Sequence, residues 1–429
     1  MSFNQYTWDL YKQTTIGIEM IKYFSDAGGY VLFKDYCPYA NFIPEDLYND
    51  WLENIYCYGV SDYDHPSSLE EAKDLYISLI TLGIRVEGQQ WLPANDFKNM
   101  LGIIQPMSYV LSQFAPEYFF PYLFLCRIFE LNKIADFFNI DLPNIPKRTD
   151  YKGRCMYYWE LCEVFYLFRK ENGLSPADLW SFLYDFAPNN LPSEKIDMPK
   201  PSQVWFIGGR LYQEDKSLES KFWQSSPETK KGDILVHYET SPISAITCIE
   251  ISLTDGVIDP LFRYYGCIYI GNRINIPYIT LKELQVNEYF SKHPLIRKSF
   301  QGVNGWPMSS KDYSELLRMI KAKGFDTETL PKLYAPTIPN NISIVHERDV
   351  ETQLLEPLLN SMGWYENKDF IRQLPIQAGR GHRVFPDYAL HYDDKSNEER
   401  AKVLIEAKLH MKNNKKIEEA FLQARSYAR

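Results

Sequence analysis

The sequence lacks a long hydrophobic segment and a secretory leader. Among its 429 residues, the most apolar run is the short segment 119–129, which Arg127 interrupts. A membrane-spanning helix needs about 20 apolar residues, so none is expected here. The N-terminus, MSFNQYTWDL, has no basic start followed by an apolar core, which argues against secretion. We therefore expect a cytoplasmic protein that does not associate with a membrane.

Cysteine pairs, a phosphate-binding loop and a positive net charge are also missing. The seven cysteines are scattered without a CxxC pair, which argues against a zinc ribbon and a disulfide framework. No GxxxxGK[ST] loop occurs, so any ATP-driven translocase would be a separate subunit. The net charge of −10 excludes a uniformly basic coat but permits a local basic groove. Six of the seven histidines (65, 237, 293, 346, 391 and 410) form no HxxxH or similar ligand pattern, and we assign them no role.

Aromatic residues, by contrast, are abundant, with 32 tyrosines and 15% aromatics overall. Aromatic side chains fill cores, and they also stack on nucleic-acid bases. Two proline-rich segments, 189–203 and 330–341, interrupt the helix and strand patterns and are predicted to be linkers. The sequence therefore predicts a multidomain α+β protein with three parts.

The first part, residues 1–190, is predicted to be mostly helical. Ser68 is a candidate N-cap with Glu71 three residues later, as in a capping box. A second helix, 155–173, places its apolar residues on one face and stops at a glycine. No catalytic constellation is visible in this part, so its role is open, and contact with DNA or a partner protein is one option.

The other two parts mix strands and helices. Residues 203–325 contain the short β-branched and aromatic runs QVWFIGG, GDILVHY, SAITCIEIS and GCIYIGN, which predict a small barrel or sandwich. Residues 342–429 open with a helical pattern, continue with the strand-like runs FIRQLPIQ, VFPDYALHY and KVLIEAK, and close with another helix.

The run KVLIEAK carries the clearest chemical pattern. In a strand, Glu406 and Lys408 share one face, because side chains alternate with period two. Asp387 begins the preceding run, and hairpin geometry can bring it next to Glu406. Two carboxylates at one point repel each other unless a cation shares them, and hard oxygen ligands suit Mg²⁺. Lys408 could orient or deprotonate a metal-bound water or neutralise developing charge, although the bare Asp-x18-Glu-x-Lys pattern also occurs by chance.

The surroundings of this pattern are more specific. The segments LLEPLLNSMGW, GRGHRVFPDYAL, VLIEAK and AFLQARSYA, in this order over residues 342–429, resemble the PD-(D/E)XK nuclease superfamily. The nuclease domain of type I restriction enzyme R subunits is the most similar branch. The resemblance implies a restriction-endonuclease-like α/β core with Asp387, Glu406 and Glu351 as ligands of Mg²⁺ (Mn²⁺ as a substitute) and Lys408 as the catalytic lysine. A solvated helix-start carboxylate is an equally good explanation of Glu351.

Two further groups of residues belong to this resemblance. Gln423 and Tyr427 match a Gln-xxx-Tyr pair, and their i,i+4 spacing places both on one helix face. Arg380, His382 and Arg383 form a small basic loop before the catalytic hairpin. This loop is either a phosphate contact or a solvated turn.

The middle part carries a second resemblance. The segments KKGDILVHYETSPISAI, IPYITLKELQ and HPLIRKSFQGVNGWPMS, over about 203–323, resemble EVE-type domains of the PUA-like superfamily. Such domains are small β-barrels that read a modified base, which must be flipped out, stacked on aromatics and probed along its edge. For a single tryptophan, core packing is the commoner role. The candidate base-binding residues are Trp205, Trp223, Tyr238, Ser241, Asn304 and Trp306.

Together these observations predict a modification-dependent DNA restriction endonuclease that acts on double-stranded DNA carrying a modified base. A homodimer is expected because double-strand cleavage needs two active sites. One alternative is a non-catalytic reader of a defence system whose C-terminal part serves as a DNA clamp or docking platform. Another is an RNA-directed protein. The sequence stops at Arg429, two residues after Tyr427, where the nuclease superfamily has a further strand, so the resemblance implies an incomplete nuclease domain.

Overall fold

The computed structural model describes residues 3–36, 43–86, 89–125, 127–192, 198–210, 220–333, 343–379, 382–393, 400–410 and 414–427. The chain divides into two compact units, Met1–Leu333 and Tyr334–Arg429, which are described separately below as the N-terminal and C-terminal units. Both mix helix and sheet, as the predicted α+β class requires. No helix among the described residues is long and apolar enough to cross a membrane.

The N-terminal unit begins with a helical region that also contains one short hairpin. Its elements are α1 (Gln5–Lys12), α2 (Thr15–Asp26), α3 (Gly29–Tyr36), α4 (Glu45–Ile55), α5 (Leu69–Leu82), β1 (Ile84–Val86), β2 (Gln89–Leu92), α6 (Phe97–Met100), α7 (Ile104–Phe114), α8 (Ile128–Phe138), α9 (Tyr151–Glu171), α10 (Pro176–Ser181) and α11 (Ala187–Asn190). π-Helical turns follow α4 at Tyr56–Val60 and α10 at Phe182–Phe186.

Local sequence signals explain where these helices begin and end. The Ser68 hydroxyl accepts a hydrogen bond from the Glu71 amide at 3.2 Å, so the predicted cap of α5 is confirmed. Helix α5 stops at Gly83, whose φ of 75° lies in the left-handed region that glycine tolerates best. On α9, the predicted apolar face, which includes Tyr158, Leu161 and Phe165, is buried in a large aromatic core.

A curled, half-barrel sheet follows in the same unit, and the four strand-like runs lie in its strands, whereas the sequence predicted a small barrel or sandwich. Its strands are β3 (Val204–Gly209), β4 (Ser220–Gln224), β5 (Ile234–Glu239), β6 (Ala245–Ser252), β7 (Val257–Ile258), β8 (Gly266–Thr280) and β9 (Trp306–Met308). The strand order is β4-β8-β6-β5-β3-β9, with β7 paired to β8. Strands β3 and β5 are parallel, and the other pairs are antiparallel.

The two faces of this sheet pack differently. One face, with Phe206 and Val236, contributes to a core shared with α12 (Leu281–Val286), α13 (Pro294–Arg297) and α14 (Ser310–Ala322). The other face carries a small cluster formed by Trp205, Ile207, Leu235, Ile268 and Ile270, with Trp223 against it. Alternation along β3 and β5 therefore separates neighbouring residues onto opposite sides of the sheet.

The helical region and the sheet share packing within the N-terminal unit. The buried Arg154 guanidinium donates to the carbonyl oxygens of Pro260 (2.8 Å) and Phe262 (2.7 Å). The Tyr265 hydroxyl donates to the Pro146 carbonyl at 2.6 Å. The predicted segments 1–190 and 203–325 are therefore joined by buried hydrogen bonds as well as by a common apolar core.

The C-terminal unit contains a small antiparallel sheet between helices. Its elements are α15 (Glu347–Asp349), a π-helical turn (Val350–Leu355), α16 (Glu356–Ser361), β10 (Phe370–Arg372), β11 (Ile376–Gly379), β12 (His382–Val384), β13 (Tyr388–Asp393), β14 (Arg400–Ile405) and α17 (Asn414–Tyr427). Strands β10, β13 and β14 form one sheet, and β11 and β12 form a separate hairpin. The core of the unit is small and consists of Leu359, Phe370, Tyr388 and Leu390 with their neighbours.

Candidate active site

The β13–β14 hairpin positions the two central carboxylates. Tyr388 pairs with Ile405, so Asp387 and Glu406 lie just beyond the paired region, on neighbouring strands at the same end of the hairpin. The Asp387 Oδ2 accepts a hydrogen bond from the Ala407 amide at 2.6 Å. Strand β14 ends at Ile405, one residue before Glu406, whereas the sequence predicted a strand through Lys408. The early end frees the Ala407 amide to bind the Asp387 carboxylate instead of a neighbouring strand.

The Glu406 carboxylate is buried and only half satisfied. Its side chain is 8% exposed. The Oε1 atom accepts hydrogen bonds from Lys408 Nζ at 2.8 Å and from Gln423 Nε2. Among the described residues, the buried Oε2 atom has no hydrogen-bond partner. A buried carboxylate oxygen without a donor is costly, so this atom is suited to a cation.

Lys408 is held as a protonated ammonium group between two carboxylates. Besides Glu406, its Nζ atom contacts Glu347 Oε1 at 3.1 Å. Partial burial lowers the pKa of Lys408, but the hydrogen bonds to Glu406 and Glu347 outweigh this and raise the pKa above its usual value. In this arrangement Lys408 can supply a positive charge but cannot act as a base.

Glu351 is the third carboxylate near this point. It lies in the π-helical turn, is buried, and forms an ion pair with Arg348. Burial raises the pKa of Glu351; Arg348 opposes the rise, and the nearby Asp387 charge adds to it. Among the described residues, only His237, Cys248 and Glu250 bring three ligand atoms within 4.8 Å of one another. The three carboxylates of the C-terminal unit are therefore spaced more widely than that.

These residues fit a Mg²⁺ site built on two carboxylates. Mg²⁺ is usually bound by one or two carboxylates and keeps several waters, so the wider position of Glu351 is compatible with a role through water. The oxygen-only donor set and the unpartnered Glu406 Oε2 both suit this hard cation. Asp387 and Glu406 would hold the ion directly.

Among the other residues predicted for this site, one is observed to contact it. Gln423, on α17, contacts Glu406, so this part of the predicted pair reaches the site. Tyr427 lies on the same helix, but its side chain is outside the described part of the chain, as are Arg380 and the side chain of His382. Arg383 is described and exposed to solvent.

Sequence reasoning missed Glu347, which binds Lys408. The signal was present, because Glu347 precedes Glu351 by four residues and the two are one helical turn apart. The sequence also gave no indication of the contacts of Glu356. Its Oε1 accepts hydrogen bonds from the Tyr388 hydroxyl at 3.1 Å and from Arg372 Nη1 at 3.0 Å, and these bonds connect α16 to the sheet.

The predicted base-binding aromatics are split between the two faces of the half-barrel. Trp205 is buried, and its Nε1 donates to Asp233 Oδ2 at 2.9 Å. Tyr238 is buried on the other face and stacks on Phe300 with a centroid separation of 3.8 Å. Trp306 is half-buried on the same face as Tyr238.

Two of the predicted base-binding residues, Trp223 and Asn304, are joined by a hydrogen bond. Trp223 is half-buried, and its Nε1 donates to the Asn304 Oδ1 at 3.1 Å. The same Oδ1 accepts from the Gly208 amide at 2.8 Å, and the Asn304 Nδ2 donates to Gln224. Ser241 is exposed in the turn after β5.

Comparison with known proteins adds no family. No protein-family model matches the chain, and no curated protein matches it. Protein Atu2648 from Agrobacterium tumefaciens is 16% identical to this chain. The match covers 31% of this chain and 100% of Atu2648, with a TM-score of 0.26. Rpa0253 from Rhodopseudomonas palustris is 14% identical, and the match covers 28% of this chain and 94% of Rpa0253, with a TM-score of 0.25. A hypothetical protein from Leishmania major is 12% identical, and the match covers 29% of this chain and 98% of that protein, also with a TM-score of 0.25. At these TM-scores the likeness supports no conclusion about function.

Proposed function

We propose that the protein is a modification-dependent DNA endonuclease whose C-terminal unit hydrolyses phosphodiester bonds with Mg²⁺. The observation that carries the proposal is the Glu406 carboxylate. Lys408 and Gln423 hold one of its oxygens, the other is buried with no partner in the described part of the chain, and Asp387 lies across the hairpin. A buried, oriented carboxylate of this kind, beside a second carboxylate and a lysine, is a typical arrangement for metal-assisted hydrolysis.

Each side chain has a distinct role in this proposal. When bound, Mg²⁺ supplies polarisation of the phosphodiester and a water of lowered pKa. Asp387 and Glu406 hold the ion, and Gln423 keeps the Glu406 carboxylate in one orientation. Lys408 is protonated, so it neutralises the negative charge that develops on the phosphate oxygens. For that role Lys408 must exchange its contact with Glu347 for one with the substrate.

The half-barrel of the N-terminal unit is proposed to read the modified base. Trp223 offers a half-buried aromatic ring for stacking, and Asn304 fixes the ring by a hydrogen bond. Trp205 and Tyr238, which lie in packed cores, would act by supporting the pocket. The expected partner is double-stranded DNA that carries a modified base. The half-barrel would bind this base after it is flipped out of the duplex.

The test is a cleavage assay with the purified full chain. Plasmid DNA from a base-modifying host and from a non-modifying host is incubated with Mg²⁺ and each of three proteins: wild type, Lys408→Ala and Lys402→Ala. Lys402 is an exposed lysine on the same strand, β14, and serves as the matched control. We expect wild type and Lys402→Ala to cut only modified DNA, and Lys408→Ala to be slower by about 100- to 1000-fold. Equal cutting of both plasmids, or full activity of Lys408→Ala, would contradict the proposal.

A non-catalytic reader is the second candidate, and one observation favours it. Lys408 is engaged by Glu347, and the three carboxylates are not gathered within 4.8 Å of one another. In that case the C-terminal unit would serve as a DNA clamp or docking platform. This candidate predicts selective binding of modified DNA or RNA without cleavage, with equal affinity in wild type and Lys408→Ala. Competition between RNA and modified DNA in the same binding assay identifies the nucleic acid.

A further inference from the structure

A second group of ligand-type side chains lies inside the half-barrel, far along the chain from the nuclease-like residues. His237 on β5 is paired directly with Cys248 on β6, and Glu250 follows Cys248 by two residues on the same face. All three side chains are buried, with exposures of 0%, 1% and 1%. One ligand atom from each, an imidazole nitrogen, a thiol sulfur and a carboxylate oxygen, lies within 4.8 Å of the others.

The distances are close to those of a tetrahedral zinc site. His237 Nδ1 and Glu250 Oε2 are 3.0 Å apart. Two such atoms bound to one Zn²⁺ at about 2.0–2.1 Å are separated by about 3.3 Å, so they need almost no movement. A sulfur bound at about 2.3 Å lies about 3.6 Å from each of them, and the three residues already bring one ligand atom each within 4.8 Å of the others, so binding requires only a small approach of the Cys248 thiol.

Arg273 supports the orientation of the carboxylate. Its Nε and Nη2 atoms contact Glu250 Oε1 at 2.9 and 2.8 Å, which leaves Oε2 on the side of His237. Metal ligands are commonly held in place by hydrogen bonds of this kind from a second layer of residues. The Cys248 thiol adds to the imidazole and the carboxylate a third side chain of a type that binds Zn²⁺.

We propose that His237, Cys248 and Glu250 bind one Zn²⁺ ion inside the half-barrel. The mixed nitrogen, sulfur and oxygen ligands suit this borderline-soft ion better than Mg²⁺, which prefers oxygen alone. Three protein ligands leave a fourth position for water or a ligand atom. The Trp223 ring lies edge-on to His237 with a centroid separation of 4.8 Å, so the ion lies next to the aromatic residue proposed for base stacking.

The experiment measures metal binding and does not depend on nuclease activity. The full chain is purified in a Cys57→Ser background, because Cys57 is an exposed thiol that could bind metal nonspecifically. After treatment with a chelator, the protein is titrated with Co²⁺, followed by competition with Zn²⁺. We expect one equivalent of tetrahedral Co²⁺ with a near-ultraviolet thiolate-to-cobalt band, and binding that weakens at low pH because the thiol and imidazole must lose protons.

Cys248→Ser should lose the thiolate band, whereas Cys267→Ser should keep it. Cys267 is the matched control, because it is equally buried in the same sheet, and its Sγ contacts the Val257 carbonyl. Circular dichroism compares folding of the two variants.

X-ray absorption of zinc-loaded wild type gives a readout independent of both variants, with one sulfur ligand expected. Absence of bound Co²⁺ in the folded wild type, an unchanged band in Cys248→Ser, or a zinc spectrum without sulfur would each overturn the proposal and leave a metal-free ion-pair network. Normal zinc binding by Asp387→Asn separates this site from the proposed nuclease site.

Discussion

Replacing Asp387 by Asn tests the proposed Mg²⁺ site most directly, because the change removes a charge and keeps the shape. The Asn side-chain oxygen can still accept from the Ala407 amide, which Asp387 contacts at 2.6 Å. A hydrogen bond to a neutral oxygen is weaker than one to a carboxylate by about 1 kcal/mol. Relief of the repulsion between Asp387 and Glu351 offsets part of that loss. Without Mg²⁺, the variant should therefore be destabilised by about 1 kcal/mol or less.

With Mg²⁺ the difference should be much larger. We expect loss of one of the two carboxylates to weaken Mg²⁺ binding roughly 100-fold, which corresponds to about 2.7 kcal/mol. At a Mg²⁺ concentration of about 100 times the wild-type dissociation constant, binding stabilises wild type by about 2.7 kcal/mol. The variant would then be half-saturated and stabilised by only about 0.4 kcal/mol. At this concentration the lost affinity alone should lower cleavage about twofold, and at Mg²⁺ concentrations far below both dissociation constants it should lower cleavage about 100-fold.

Amide hydrogen exchange of the full chain, with and without Mg²⁺, measures this effect at the peptide that spans residues 400–410. Mg²⁺ should slow exchange there in wild type and hardly at all in Asp387→Asn. Asp369→Asn is the matched control, because Asp369 also accepts a backbone hydrogen bond, from the Tyr365 amide at 3.0 Å, away from the site. Mg²⁺ protection that persists in Asp387→Asn, or that disappears in Asp369→Asn, would refute the reasoning.

Three further outcomes are expected. Trp223→Ala should reduce the preference for modified over plain duplex by about 10-fold or more, measured by fluorescence anisotropy, since it removes the stacking ring that Asn304 holds. Arg154→Met should lower the free energy of unfolding in urea by about 3 kcal/mol, because it leaves the carbonyl oxygens of Pro260 and Phe262 without their buried donor. Burial raises the folded-state pKa of Glu351 above its ordinary 4.5, so its contribution to stability is present below pH 4.5 and is lost as pH rises through the folded pKa. Mg²⁺ affinity should rise over the same window as Glu351 ionises, and both changes should be smaller in titrations of Glu351→Gln. A wild-type pH profile in this variant would exclude Glu351 as a source of them.

Much of the local structure could be predicted because it depends on short-range chemistry. The cap at Ser68 and the apolar face of α9 follow from side-chain type and helical spacing, and both are present. The neighbouring positions of Asp387 and Glu406 were also predictable, since a hairpin pairs residues that are close in sequence. Their roles in catalysis remain a prediction.

Contacts between distant residues were decided only by the tertiary structure. The sequence alone determined element types, a mixed α+β architecture and two carboxylates and a lysine at one hairpin end, because period and spacing act over a few residues. Folding decided that Glu347 reaches Lys408 and that Asn304 binds Trp223. These pairs depend on how strands and helices pack and register across many residues, and no local pattern encodes that information.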